Sequence, residues 1–463
     1  MSKLEYTSLD EIPKIHELLR AGFKSGKTRP VAYRKHQLLQ LAYLLKDNRQ
    51  RFRDAFSADF KRPYEESDML EIDPSIGCVV EAYDSVAKWA ARERAPFDQL
   101  WFAMSPAIRK EPRGTVLVVA PFNYPVLLLV NGFVGAIAAG CTVLLKPSEL
   151  VPSISGLLAE LLPQYLDQDL YRIVNGAVPE MTKILELKWD HIFYTGGGRV
   201  AQIISIAAAK HLTPLTLELG GKSPVVIDPG CDLNVAARRI LWGKTINAGQ
   251  VCLAPDYALV PKDFQDTFVA AMQRAFNEFF PTESPRPGVM SCIVSQQHAS
   301  RLKRLVDETK GTIVFGGQVD VEQQFISPTV VKDVAGDDVL MSEEIFGPIL
   351  PVVPVKDVDE AIEFINARDS PLALYVFSRD SAFKAKVFDN TQSGMAVANE
   401  VVIGMAVHGV PFGGTGASGH GYSTGKWSFD AFTHLRATFD NPSWVDTLIF
   451  NRRYPPYSVC LVA

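Results

Sequence analysis

The chain has 463 residues, of which 47% are hydrophobic and 21% charged, and a formal net charge of −5. That length exceeds one simple core, so two or three domains are expected, and the composition is that of a folded protein rather than a disordered one. The acidic balance gives no electrostatic basis for binding nucleic acid. From the N-terminus, apolar positions recur at helical spacing through Ile12–Leu19, Leu38–Leu45 and Ile76–Trp89. From residue 115 the texture changes to strand, turn, helix: TVLVVAP, a helix over 127–139, CTVLLKP at 141–147 and a helix over 153–164. Strands YRIV at 171–174 and HIFYT at 191–195 follow, then a helix over 199–210. A second such stretch opens at LTLELGG, 215–221, and runs through VVI at 225–227, a helix over 233–244, ALV at 258–260 and a helix over 263–280. Strands ILPVVPV at 349–355 and LALYVFS at 372–378 bracket a helix over 358–367. PFGGTGASGHGYSTG at 411–425 reads as a glycine-rich loop and SFDAFTHL at 428–435 as a strand. Apolar, β-rich runs alternating with helices predict an α/β fold with parallel sheets covered on both faces.

Six cysteines, at 78, 141, 231, 252, 292 and 460, are scattered without a CxxC pair, and no metal site is expected. MSKLEYTSLD at the start lacks an apolar secretory core, so reduced thiols and a cytoplasmic location are expected. PVLLLVNGFVGAIAAG at 125–140 is short for a bilayer and holds three glycines, and it reads as a buried helix.

Glu218 and Cys252 each sit in a glycine-bearing segment, LELGGKSP at 217–224 and NAGQVCLAPDY at 247–257. A thiol near a carboxylate suits covalent catalysis: the thiolate attacks an electrophilic carbon, and the carboxylate activates the water that releases the product. Together with NYP at 123–125, KPSE at 146–149 and EEIFGP at 343–348, these segments resemble the aldehyde dehydrogenase superfamily. From TRP at 28–30 to RYPPY at 453–457 the chain is similar to the class 3 branch of fatty and aromatic aldehyde dehydrogenases.

The resemblance implies NAD(P)-dependent oxidation of an apolar aldehyde (fatty, terpenoid or aromatic) to its acid, through a thiohemiacetal and a thioester on Cys252. Asn123 would help hold the oxyanion and Glu218 would be the deacylating base. The alternatives are a coenzyme-A-acylating relative, which typically lacks a base matching Glu218, and a catalytically silent binding or structural member, which would be expected to lose Cys252, Glu218 or Asn123. Lys146 and Glu149 would bond the adenosine ribose, Thr195, Gly196 and Gly197 would approach the pyrophosphate, and Glu344 with Phe346 would hold the nicotinamide ribose. A carboxylate at Glu149 suits the free hydroxyl of NAD, with NADP also usable in this branch. Phe122 and Tyr124 flank Asn123 and are substrate-pocket candidates.

The implied organisation is a Rossmann-like NAD(P) domain (1–94 and 113–214), a catalytic domain (215–410), an oligomerising arm (95–112 and 411–445) that makes a homodimer, and a tail (446–463). Three departures stand out. Ala201 replaces a second glycine, and Gly197 stands where Ser or Asn is common. NEVVIG at 399–404 places Glu400 and Gly404 where the branch has Asp and His, with His408 four residues on; a glycine there predicts a wider or more mobile substrate mouth. The ending Cys460-Leu461-Val462-Ala463 has the form of a prenylation signal, which would give peripheral membrane contact on the cytosolic face.

Overall fold

The computed structural model describes residues 4–281, 285–451, 453–455 and 457. Two parallel sheets dominate. In the first, strands lie in the order Tyr171–Ile173, Thr142–Lys146, Thr115–Val119, His191–Thr195, Leu215–Glu218, with the short Gly419–His420 antiparallel on the edge. Thr115–Val119, Thr142–Lys146 and His191–Thr195 are buried at every position. Helices on both faces make that so, and it is why the runs are continuously apolar instead of alternating. Register places Val119 beside Lys146 and Thr195 beside Glu218, so the carboxyl ends of four strands share one rim. That rim is where open α/β sheets bind ligands.

The second sheet runs Thr312–Phe315, Thr329–Lys332, Ile349–Val355, Tyr257–Pro261, Pro224–Ile227, Ala373–Phe377, Met395–Ala398, parallel except for the first. A third, three-stranded sheet joins Glu93–Arg94, Ala107–Pro112 and Thr433–Thr438. The α/β expectation holds.

Three details differ from the sequence expectation. Strand Leu215–Glu218 pairs with His191–Thr195, so it completes the first sheet and the chain crosses to the second between 219 and 223, after the expected boundary at 214/215. SFDAFTHL is a helix, Gly425–Ala431, followed by strand Thr433–Thr438. Its strand-like alternation is overridden by packing: Phe429 and Phe432 are fully buried, and Gly135 lets the helix dock, since a Cβ there would lie 2.6 Å from the Cβ of Ser428. Helices Arg49–Phe60 and Gln296–Glu308 are additional to the predicted elements.

Helix Leu127–Ala139 is buried along its whole length, as expected from its composition. Among the described residues no helix is long and apolar enough to cross a membrane.

Candidate active site

Cys252 follows helix Leu233–Thr245 in a turn that bends sharply before strand Tyr257–Pro261. Asn247 and Ala248 hold φ of 49° and 52°, left-handed values that non-glycine residues adopt only when held there. Gly249 continues the turn at φ 71°, and a Cβ on it would lie 2.4 Å from the Gly347 carbonyl oxygen. The turn that carries Cys252 therefore rests directly on the EEIFGP loop.

What holds the turn is a buried guanidinium. Arg62 donates to Glu71 at 2.9 Å, to the Asn123 carbonyl at 3.1 Å and to Asn247 Oδ1 at 2.6 Å. Asn247 Nδ2 donates to the same Asn123 carbonyl at 2.8 Å, and Asn123 Nδ2 donates to the Gln250 carbonyl at 3.0 Å. Asn123 and the Cys252 turn are thus stitched into one unit. Glu71 also accepts from Val126 and Leu127 N–H where helix Leu127–Ala139 begins. Burial pushes Glu71 up to about 7, with Arg62 pulling it back. Arg62 and Glu71 carry no motif that would single them out in the sequence, whereas Asn247 and Gln250 sit inside the NAGQ segment already quoted.

Glu218 ends its strand with both carboxylate oxygens buried and no well-formed hydrogen bond among the described residues. Burial raises it to about 8; the Ser423 hydroxyl comes near enough to pull the other way without closing a good bond. A cavity of about 10 Å³ is lined by Glu218, Cys252, Thr195, Asn131 and Ser423 among others, so the two residues border one small space. That is about the room one water needs, with polar groups around it. Burial, then the charges of Glu344 and Glu218, push the Cys252 thiol up to about 12.

A cleft of about 460 Å³ opens on Cys252, Asn123 and Glu218 and runs along the strand rim past Glu344, Phe346, Thr195, Gly196, Gly197, Lys146 and Glu149. Every cofactor-site residue picked from sequence lies on its wall. Lys146 is buried, donates to the Pro147 carbonyl and lies 3.5 Å from Glu149. Gly197 precedes helix Gly198–Ala209 without a side-chain cap, and a Cβ at Gly197 or Gly198 would meet nothing within 4 Å. The helix therefore begins with open space beside Gly197, which lines the cleft. Gly196 has no such freedom: a Cβ would lie 2.2 Å from the Tyr194 hydroxyl. Gly220 lets the Glu344 carboxylate close in, at 2.4 Å from where a Cβ would stand. Burial raises Glu344 to about 8, with Asp256 adding and the Gly221 N–H, Lys222 and Lys244 opposing.

Phe122 lies on the wall of this cleft, edge-on to Phe346 and to His298. Tyr124 is buried in a different apolar cluster, which Cys252, Trp242, Val402 and Met405 also pack against. The two aromatics flanking Asn123 therefore serve different neighbourhoods. Gly404 does not leave open space: a Cβ there would lie 2.7 Å from the Met395 sulfur, which occupies the position beside it. The wider mouth expected at Gly404 is filled by Met395. His408 instead contacts Glu81 at 3.1 Å on the surface. Among the described residues no cluster of potential ligands could hold a metal ion.

Comparison with known proteins matches residues 1–438 to the model of the aldehyde dehydrogenase family. Mouse aldehyde dehydrogenase family 3 member A2 is 43% identical over 440 residues, covering 95% of this chain and 90% of that one. The dimeric NADP-preferring aldehyde dehydrogenase of dog is 40% identical over 448 residues, covering 97% of this chain and 98% of that one. Among solved structures, the substrate-bound state of Staphylococcus aureus AldH superimposes with a TM-score of 0.91 at 35% identity, over 94% of this chain and 95% of that chain.

Proposed function

The chain belongs to the aldehyde dehydrogenase family and oxidises aldehydes to acids with NAD(P), and on that premise we propose that Cys252, Glu218 and Asn123 carry the reaction. The observation that supports this most is the convergence of the three on one cleft, with Cys252 and Glu218 also lining one water-sized cavity.

The proposed course follows from what each group can do. Cys252, as thiolate, adds to the aldehyde carbon. The oxyanion that forms accepts from the Cys252 N–H and from the Asn123 side-chain amide, whose second hydrogen is free of the Gln250 carbonyl. When bound, the nicotinamide ring supplies the acceptor for the hydride that leaves the carbon, and Cys252 is left as a thioester. Glu218 then takes a proton from water as the water oxygen bonds to the thioester carbon. The C–S bond breaks and the acid departs. Glu218 favours hydrolysis over transfer to coenzyme A, and the presence of all three groups counts against a silent member.

The cleft suits a dinucleotide. Gly196 and Gly197, at the uncapped start of helix Gly198–Ala209, line it where a pyrophosphate would lie, Lys146 and Glu149 border one end, and Glu344 and Phe346 border the other. The finer proposals follow. The first sheet is the cofactor unit and the second the catalytic unit. The aldehyde is apolar, because the cluster beside Cys252 is apolar. The three-stranded sheet is a homodimer arm, supported by exposed Leu435 and Phe439 in and beside its outer strand. Cytosolic residence with prenylation at Cys460 is proposed from sequence alone, since Cys460 lies outside the described residues.

Cys252→Ser tests the core of this. It should abolish turnover while leaving NAD binding intact, because a hydroxyl there is a weaker nucleophile and a poorer leaving group. Wild-type-like turnover in that variant would remove the mechanism.

A further inference from the structure

The segment after strand Met395–Ala398 contains a backbone conformation that neither the motifs nor the mechanism uses. Val402 holds φ 64° and ψ −46°, and the Ile403 N–H bonds back to the Val401 carbonyl at 2.7 Å. This is a γ-turn of the rare, strained hand, with a β-branched residue at its centre. Such a turn persists only where its surroundings fix it. Here Asn399 is bonded by its side chain to both backbone groups of Ser378, Arg239 pairs with Glu400 at 3.2 Å, and Val401 and Val402 close over Gly243.

The last restraint is the informative one. The Tyr375 hydroxyl accepts from the Val402 N–H at 3.2 Å and donates to the Leu253 carbonyl at 2.6 Å. Tyr375 is fully buried in strand Ala373–Phe377. One hydroxyl therefore links a strained turn to the residue that follows Cys252. Val402 and Met405 pack on the same apolar cluster as Cys252 and Trp242. None of Val402, Met405 or Trp242 lines the cofactor cleft, so the apolar cluster they share with Cys252 lies outside the dinucleotide's part of the site.

We propose that Tyr375 is a positioning residue that couples the Val402 turn to the nucleophile's backbone, and that this turn selects for extended apolar aldehydes over short ones. The proposal rests on Cys252 being the nucleophile. Its physical content is that a long chain is held at this cluster and at its reacting carbon at once, whereas a two- or three-carbon aldehyde is held only at the latter. Loosening the cluster relative to Cys252 therefore affects the long substrate more.

The test compares kcat/KM for decanal and propanal at saturating NAD in wild type, Tyr375→Phe, Val402→Gly and the double variant, with Tm for each. Tyr375→Phe keeps the ring and removes both hydrogen bonds; Val402→Gly keeps the N–H but removes the side chain that closes over Gly243, freeing the turn at the other end of the same tie. Each single variant should lower the decanal/propanal ratio about tenfold, and the double should fall no further than the singles, because both loosen one tie between the turn and Leu253. A lowered Tm with an unchanged ratio would make Tyr375 merely structural and overturn the proposal, as would ratios that multiply in the double variant. Propanal turnover by wild type, and its loss in Cys252→Ser, reports separately on the nucleophile.

Discussion

Lys222 and Asp256 meet at 2.5 Å beneath the loop that carries Glu344. Lys222 lies in the Glu218 segment and Asp256 in the Cys252 segment. The same ammonium donates to the carbonyls of Leu340 and Glu343 at 2.8 and 2.9 Å, and Asp256 accepts from the Ile345 N–H at 3.1 Å. The Glu218 segment, the Cys252 segment and the Glu344 loop are thus joined at one ionic knot, with buried Lys244 lying 3.5 Å from the other oxygen of Asp256.

Lys222→Met should therefore injure cofactor binding more than chemistry. The pair is largely withdrawn from water, so removing one partner should cost about 3–5 kcal/mol of unfolding free energy. With its two carbonyls released, the Glu344 loop should shift, raising the KM for NAD about tenfold while kcat falls less. Urea melts and steady-state kinetics at varied NAD check both parts; an unchanged KM would show that Arg301, which also bonds the Glu344 and Ile345 carbonyls, suffices alone.

Glu218→Gln should separate the two half-reactions. Hydride release requires Cys252 and the oxyanion donors, and only deacylation requires the base, so rapid mixing should show a burst of reduced cofactor followed by slow turnover. In wild type, deacylation should rise with pH toward about 8, where the buried carboxyl ionises, and the variant should lose that rise. Stability should move oppositely. Below about 4.5 the group is protonated in both states; between there and about 8 the unfolded chain ionises while the native group does not, so wild-type stability falls as pH rises. Glutamine removes this penalty, so the Tm advantage of the variant should grow across that window and then level off. A constant difference would mean that Glu218 is not buried uncharged.

The parallel α/β class could be anticipated because parallel strands buried on both faces leave long apolar runs, as in Thr115–Val119 and His191–Thr195. Glu218 and Cys252 stood out because each sits in a glycine-bearing segment, and Asn123 because NYP resembles a family segment; the structure brings all three to one cleft. Arg62 and Glu71 were not, since a charged pair in a polar helical stretch looks like any solvated face until the fold buries it. The same holds for Tyr375, which reads as an ordinary strand residue. Residues 428–431 misled because local alternation favours strand, whereas burial of Phe429 and the close approach of Ser428 to Gly135 favour helix.

Glu149 tests the choice of cofactor. It is partly exposed beside Lys146 on the cleft wall, where a carboxylate would repel the 2′-phosphate of NADP and leave Lys146 neutralised. Glu149→Ala should shift the NADP/NAD ratio of kcat/KM toward NADP by about tenfold. An unchanged ratio would assign the choice to another residue.

Arg62 is the sharpest separation of stability from chemistry. Both it and Glu71 have side chains with no exposure at all, so Arg62→Met leaves a buried carboxyl without its cation and should cost about 3–5 kcal/mol. The same change removes the donor that Asn123 and Asn247 share, so the oxyanion amide and the left-handed turn before Cys252 lose their common anchor. The hydride burst should slow about tenfold or more, on the scale of weakening one oxyanion donor. Adding Glu71→Gln removes the stranded carboxyl and should return part of the stability, because the amide can still meet the Val126 and Leu127 N–H groups. It cannot restore the bonds to Asn123 and Asn247, so the burst should stay slow. Urea midpoints alongside stopped-flow bursts for the single and double variants distinguish the two roles. Recovery of both together would show that Arg62 acts only by neutralising Glu71.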